Sequence, residues 1–210
     1  MNKSLPFQTQ PILKKNVFLL LWLGINVAGW AALTSFVSGV GVFQSSNFLS
    51  FLGFSIIGGG MSFLQWLLLR QQFSFVWYAW ILPSTFGFGL GLYALIWAAL
   101  RDRYIVFSPP SVPVLEWDPL LGGALLGLAL GLCQCFVWRF RIQRMLTWIV
   151  ANVVGWSLGM FLPQLTAYLL RNSLAVSHTP WLATLFPVAF AAVVTGLVLV
   201  LFTGGSDGLD

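Results

Sequence analysis

Runs of about twenty apolar residues, the length a membrane-crossing helix needs, follow one another from Asn16 to Phe202 with only short polar breaks. No other feature narrows the fold as much. In hydrocarbon every backbone polar group must be bonded internally, so such runs predict transmembrane helices. Charge agrees with length: 7% of the residues are charged and 59% hydrophobic, where a soluble domain carries about 25% charged residues. Nothing resembles the alternating strands of a barrel. The expected class is an all-α, polytopic integral membrane protein, with residues 1–210 as a single membrane domain.

Six transmembrane helices are predicted: Asn16 to Phe36, Phe48 to Leu69, Phe75 to Leu100, Leu120 to Trp138, Leu146 to Leu170, and Trp181 to Phe202. They pair into hairpins at approximately 16–69, 75–138 and 146–202. The longest connection, Arg101 to Pro119, contains "SPPSVP" and Asp118-Pro119, which predict irregular structure. Lys3, Lys14, Lys15, Arg70, Arg139, Arg141 and Arg144 fall on one side, against Arg101, Arg103 and Arg171 on the other. By the positive-inside rule both termini are expected in the cytoplasm. The net charge of +5 is thereby accounted for by membrane-flanking turns. With no basic face to follow a phosphate backbone, nucleic acid is not an expected partner.

Lys14 and Lys15 before an apolar run raise the possibility of a signal peptide. That run is about twice the length of an h-region and has no convincing small-x-small cleavage site, so it reads as the first span. Neither Asn2 nor the tail at Leu209-Asp210 fits a lipidation motif.

The spans repeat internally. "WLGINVAGW" at Trp22 to Trp30 returns as "WIVANVVGW" at Trp148 to Trp156 and, degraded, as "WILPSTFGF" at Trp80 to Phe88. Ser84 stands where the other copies have Asn26 and Asn152, and Gly87 where they have Gly29 and Gly155. All three copies fall in odd-numbered spans and so point the same way. In the even spans, Gly58, Ser62, Gln65 and Arg70 match Gly127, Gly131, Gln134 and Arg139 at identical spacing. In the sixth span Ala191 and Thr195 are the candidate small residues, and Val198 takes the glutamine's place. The reading is three tandem helical hairpins with pseudo-threefold organisation, the last one eroded.

This pattern resembles a group of uncharacterised, mostly cyanobacterial multi-pass membrane proteins that repeat a Gly-rich helix ending in "QWLLLR", here Gln65 to Arg70, followed by a W-x3-N-x2-G-W helix. The resemblance covers most of residues 18–160. It loosens at "QCFVWR", Gln134 to Arg139, and Ser84 departs from the Asn. It implies the fold and a bacterial inner or thylakoid membrane, and no particular activity.

Spacings of three and four place Trp22, Asn26 and Gly29 on one helix face, and likewise Trp148, Asn152 and Gly155. Helices associate in lipid through close backbone approach at small residues and through bonds from amides and hydroxyls. Gly123, Gly127 and Gly131 form a small-x-x-x-small ridge of this kind, and Gly29, Gly58, Gly87 and Gly155 are further candidates for glycine-rich helix packing. At about 1.5 Å per residue, Gln65 and Gln134 lie roughly 8 Å from Arg70 and Arg139, Asn152 about 12 Å from Arg144, and Asn26 about 16 Å from Lys15. Together with Ser84 these amides make a polar intramembrane layer. It reads either as an interhelical clamp or as a site that holds a ligand or water.

Trp66, Trp77, Trp138 and Trp148 fall near one interface and Trp97, Trp117 and Trp181 near the other, as a tryptophan belt does. Trp22, Trp30, Trp80 and Trp156 lie deeper, in a chain with 16% aromatic residues. Packing accounts for them, and a flat apolar ligand such as a lipid, quinone or pigment is the alternative.

Catalytic chemistry is hard to find. No Asp, Glu, Lys or Arg lies inside a predicted span, and the single His178 sits in an outer loop. Asp102, Glu116 and Asp118, with His178, read as a solvated turn before a metal site. Ser84 and Thr85 after Pro83 read as a kink whose freed carbonyl a hydroxyl satisfies. Cys133 and Cys135 point about 200° apart on a helix and neither pair up nor share an ion. The missing intramembrane charges argue against a pump or voltage sensor. The expectation is a non-enzymatic structural, assembly or scaffold protein with no catalytic or metal site and no cofactor. Its partners are membrane lipids and, through its glycine faces, other membrane proteins. The alternative is a binding site or passage for a small neutral or apolar molecule.

Overall fold

The computed structural model describes residues 13–39, 47–73, 77–103, 118–135, 137, 142–169 and 180–204. Six helices account for nearly all of them: α1 (Lys15–Gly39), α2 (Asn47–Leu69), α3 (Trp77–Arg103), α4 (Asp118–Cys135), α5 (Ile142–Leu169) and α6 (Pro180–Gly204). Among the described residues there is no strand. Four helices contain stretches long and apolar enough to cross a membrane: Lys15–Ala32, Phe51–Leu69, Ile142–Pro163 and Leu185–Thr203. α4 carries a shorter apolar stretch, Pro119–Cys135.

The helices follow one another around a closed ring. Each packs on its neighbours in sequence, and α6 returns to pack on α1. Leu20, Ile56, Leu82, Leu121, Val150 and Leu201, one from each helix, are exposed on the outside. Helices that are apolar on their outer as well as their inner faces suit lipid rather than water. Inside lie two hydrophobic clusters. One gathers Phe54, Ile57, Met61, Phe88, Leu126, Leu130, Trp156, Val188 and Ala191, with Trp30 against it. The other gathers Phe18, Trp22, Leu68, Leu69, Trp80, Trp148, Ala192 and Leu199. Trp22 and Trp30 are eight residues apart, so the clusters sit about 12 Å apart along α1, with Asn26 midway between them.

Several sequence expectations change. Asp118 and Pro119, read as incompatible with helix, open α4, because proline in a first turn lacks only an N–H that has no partner there. α5 starts at Ile142 rather than Leu146, which brings Arg144 into the helix. Its Nη2 donates to the Phe202 carbonyl at 3.3 Å and its guanidinium lies 5.5 Å over the Phe202 ring, capping the end of α6 where carbonyls lack helical partners. Pro83, Pro163 and Pro187 lie inside α3, α5 and α6. The Thr85 hydroxyl donates to Ile81 O at 2.8 Å, one turn back from itself, and not to the Ala79 carbonyl that Pro83 frees. The side chains of Asp102, Glu116, Asp118 and His178 lie outside the described residues.

Candidate functional site

The amides of the repeated motifs meet at the centre of the ring. Asn26, Gln65, Ser84, Gln134 and Asn152 are all buried. Gln65, on α2, donates from Nε2 to Asn26 Oδ1 on α1 at 2.8 Å, and its Oε1 accepts from Trp80 Nε1 on α3 at 3.2 Å. Gln134, on α4, repeats this: its Nε2 donates to Ser84 Oγ on α3 at 2.8 Å, and its Oε1 accepts from Trp148 Nε1 on α5 at 3.1 Å. Each glutamine thus ties its own helix to both neighbours. Ser84 stands where an asparagine is found in the other copies, and its hydroxyl fills the acceptor role that Asn26 Oδ1 has for Gln65.

Helices α5 and α6 depart from this scheme. Val198, which occupies the glutamine position, is partly buried against the cluster that contains Trp22 and Trp148. The acceptor for the odd helix comes instead from Thr195, one turn away, whose Oγ1 receives Trp22 Nε1 at 3.3 Å and donates to Ala191 O at 2.7 Å. Thr195 was expected only as a small packing residue. The layer so bridges α6 to α1, α1 to α2, α2 to α3, α3 to α4 and α4 to α5. Between α5 and α6 the described residues show no such bond.

Asparagine orientation is fixed by its own helix. Asn26 Nδ2 donates to Trp22 O at 2.7 Å and Asn152 Nδ2 to Trp148 O at 3.0 Å. A carbonyl only accepts, so in both residues Oδ1 must face away from it. In Asn26 that oxygen takes the Gln65 amide. In Asn152 it accepts no hydrogen bond from any described residue.

Tryptophans supply what the sequence reading overlooked. Trp22, Trp80 and Trp148 stand four residues before Asn26, Ser84 and Asn152, and all three indoles are buried and donate into the layer. Trp148, assigned from its position to the interfacial belt, is a correction: it is 1% exposed and packs edge-on against Trp80 at 5.8 Å. Counting from Arg144 gives a depth along the helix and not a facing direction, and the ring faces the neighbouring helices. At the far end of the motif, Trp30, Phe88 and Trp156 form a triangle with centroids 6.3, 6.2 and 6.2 Å apart.

No family model, curated protein or solved structure matches this chain.

The glycines sit at two kinds of contact. Gly123, Gly127 and Gly131 lie directly on the α5 backbone: an added Cβ at Gly127 would collide with Asn152 O and reach Val153 Cα at 2.7 Å, and one at Gly131 would reach Ile149 Cα at 2.9 Å. Gly87 lies on the α4 backbone, where an added Cβ would come to 3.2 Å from Leu130 Cα, and Gly155 on α6, where one would come to 3.0 Å from Ala191 Cα. Gly29 and Gly58 instead face side chains, Met61 with Leu64 and Phe88 respectively.

Between the two tryptophan levels is a cavity of about 20 Å³, lined from all six helices and including Asn26, Gln65, Gln134, Asn152 and Thr195. No group in this lining titrates near neutral pH, so its chemistry is hydrogen bonding alone. Among the described residues no cluster of His, Cys, Asp or Glu is placed to hold a metal ion. Cys133 and Cys135 are free thiols, and Cys135 Sγ donates to Leu132 O at 2.9 Å.

Proposed function

We propose that the chain is a non-enzymatic integral membrane protein with a structural or assembly role. It crosses a bacterial inner or thylakoid membrane six times as three tandem hairpins about a pseudo-threefold axis, with both termini in the cytoplasm, as a member of the repeat group it resembles. One observation carries this reading: both glutamines of the polar layer are engaged by neighbouring helices, on the amide side and on the carbonyl side. Groups committed to bonds between helices hold the ring closed. The internal triplication is supported by equivalent positions playing equivalent parts: Trp80 and Trp148 donate to the glutamine of the preceding hairpin, and position nine of each copy supplies one corner of the aromatic triangle.

The alternative, a binding site or passage for a small neutral or apolar molecule, has one observation in its favour, the axial cavity. Its volume of about 20 Å³ is more than tenfold below the roughly 300–1,000 Å³ of small-molecule pockets, so a quinone or pigment would have to bind on the outer surface. A passage would need the aromatic triangle to part.

Replacing Gln65 and Gln134 together by leucine separates the readings. The change removes four interhelical bonds, at about 0.6 kcal/mol each, and takes these acceptors from the buried Trp80 and Trp148 indoles, so the protein should remain folded with a stability loss of about 2–6 kcal/mol. Reconstituted in liposomes, wild type and double mutant should show no saturable uptake of neutral solutes or lipids, and both should retain any native partner in a pull-down. Saturable uptake by wild type that disappears in a folded mutant would establish the passage instead.

A further inference from the structure

We propose that the axial cavity is a binding site for one water molecule, held on Asn152 Oδ1 in place of the glutamine amide that α6 lacks. The site stands on geometry alone, whatever the wider role of the layer. Three observations meet there. Asn152 is 97% buried, being 3% exposed, and the donation of its Nδ2 to Trp148 O leaves Oδ1 directed elsewhere with no donor from any described residue. A carbonyl oxygen of a buried side chain that receives no donor is disfavoured, more so in a membrane interior. The cavity that Asn152 lines measures about 20 Å³, and one water needs at least about 10–15 Å³. In the other hairpins the equivalent oxygens, Asn26 Oδ1 and Ser84 Oγ, take a glutamine N–H, and the corresponding residue on α6 is Val198, which has none to give.

The remaining polar atoms suit water. A buried water needs two to four partners. Donating one hydrogen to Asn152 Oδ1, it can give the other to the unused lone pair of Thr195 Oγ1, which already accepts once from Trp22 and donates to Ala191 O. Gln134 Oε1, engaged by Trp148 alone, is a further acceptor on the same wall. A metal cation fits less well: no carboxylate lines the cavity, and an uncompensated charge at this depth is costly. With water in place the α5–α6 junction acquires the polar bridge that the other five have from side chains.

The test uses the full chain in lipid vesicles with isotopically labelled asparagine. Solid-state NMR measures polarisation transfer from water protons to each side-chain amide, and Asn152→Ser assigns the Asn152 signal; serine is the residue at the equivalent position 84. Transfer should be stronger at Asn152 than at Asn26, which lines the same cavity but whose oxygen is taken by Gln65. In Val198→Gln the new amide should reach Asn152 Oδ1, displace the water and abolish the transfer. An Asn152 signal as weak as that of Asn26 in wild type overturns the proposal, and so does full transfer persisting in folded Val198→Gln. If the glutamine variant does not fold, a high-resolution map of wild type decides: density within hydrogen-bond distance of Asn152 Oδ1 supports the site and its absence refutes it. Saturable solute uptake would sink the scaffold reading without touching this signal, and a dry Asn152 would leave the uptake result as it stands.

Discussion

At Gly127 a single methyl group decides whether two helices touch. A Cβ there would collide with the Asn152 carbonyl, and a helix backbone cannot step aside as a side chain can. Gly127→Ala should therefore lower stability by about 1–3 kcal/mol, the usual range for overpacking. Gly24 is the control. It is exposed on α1 with nothing within 4 Å of an added Cβ, so Gly24→Ala should hold or raise stability, by up to about 1 kcal/mol, through helix propensity. Thermal unfolding of both variants in one mild detergent checks the pair; equal losses would show that backbone contact at Gly127 is not what the glycine provides. Gly29 belongs to a softer category, since the Met61 thioether can shift where a backbone cannot, whereas a Cβ at Gly58 would collide with Phe88 Cβ, which is fixed to the α3 backbone.

Between elements, the ring depends on how α6 meets α1. That junction has no glutamine; it has the Trp22–Thr195 bond, with Gly196 seated against Leu19 and Trp22. Thr195→Val keeps the shape and removes the hydroxyl, leaving a buried indole N–H without its acceptor, which should cost about 1–3 kcal/mol. Thr195→Ser should recover most of the loss. Denaturation midpoints for the three proteins test this, and a valine variant as stable as wild type would remove Thr195 from the closure. The sequence did not disclose this role, and the reason is physical. Repeat alignment pairs Thr195 with Ser62 and Gly131, both small, and sends attention to Val198 for the missing amide. An indole N–H, however, can be met from one helical turn away, and alignment carries no information about that reach. Trp148 was misjudged for a related reason: depth counted along one helix does not say which way a large ring turns. What run length and the internal repeat did make legible was the helices themselves, and the common burial of Asn26, Gln65, Ser84, Gln134 and Asn152. Those residues are polar where polarity is expensive, and that is visible without coordinates.

For the whole molecule, orientation is the first thing to measure. With six spans, seven basic residues would fall on one side and three on the other, which predicts that reporters fused after Asp210 and inserted at Ser111 give opposite signals. Matching signals would refute the six-span topology, and an outward signal at Asp210 with an inward one at Ser111 would reverse the assignment of the termini. Ring closure has a second consequence, and it concerns time. Trp22 is made early, yet its hydrogen-bond acceptor is 173 residues further along the chain. At about 5–20 residues per second, synthesis of that stretch takes roughly 9–35 s. Asn26 is served far sooner, by Gln65 only 39 residues on. Through that interval the Trp22 indole proton is without its native acceptor. The nascent chain has to shelter Trp22, whether at the insertion machinery or by holding α1 near the headgroups, until the last helix emerges and the circle can shut.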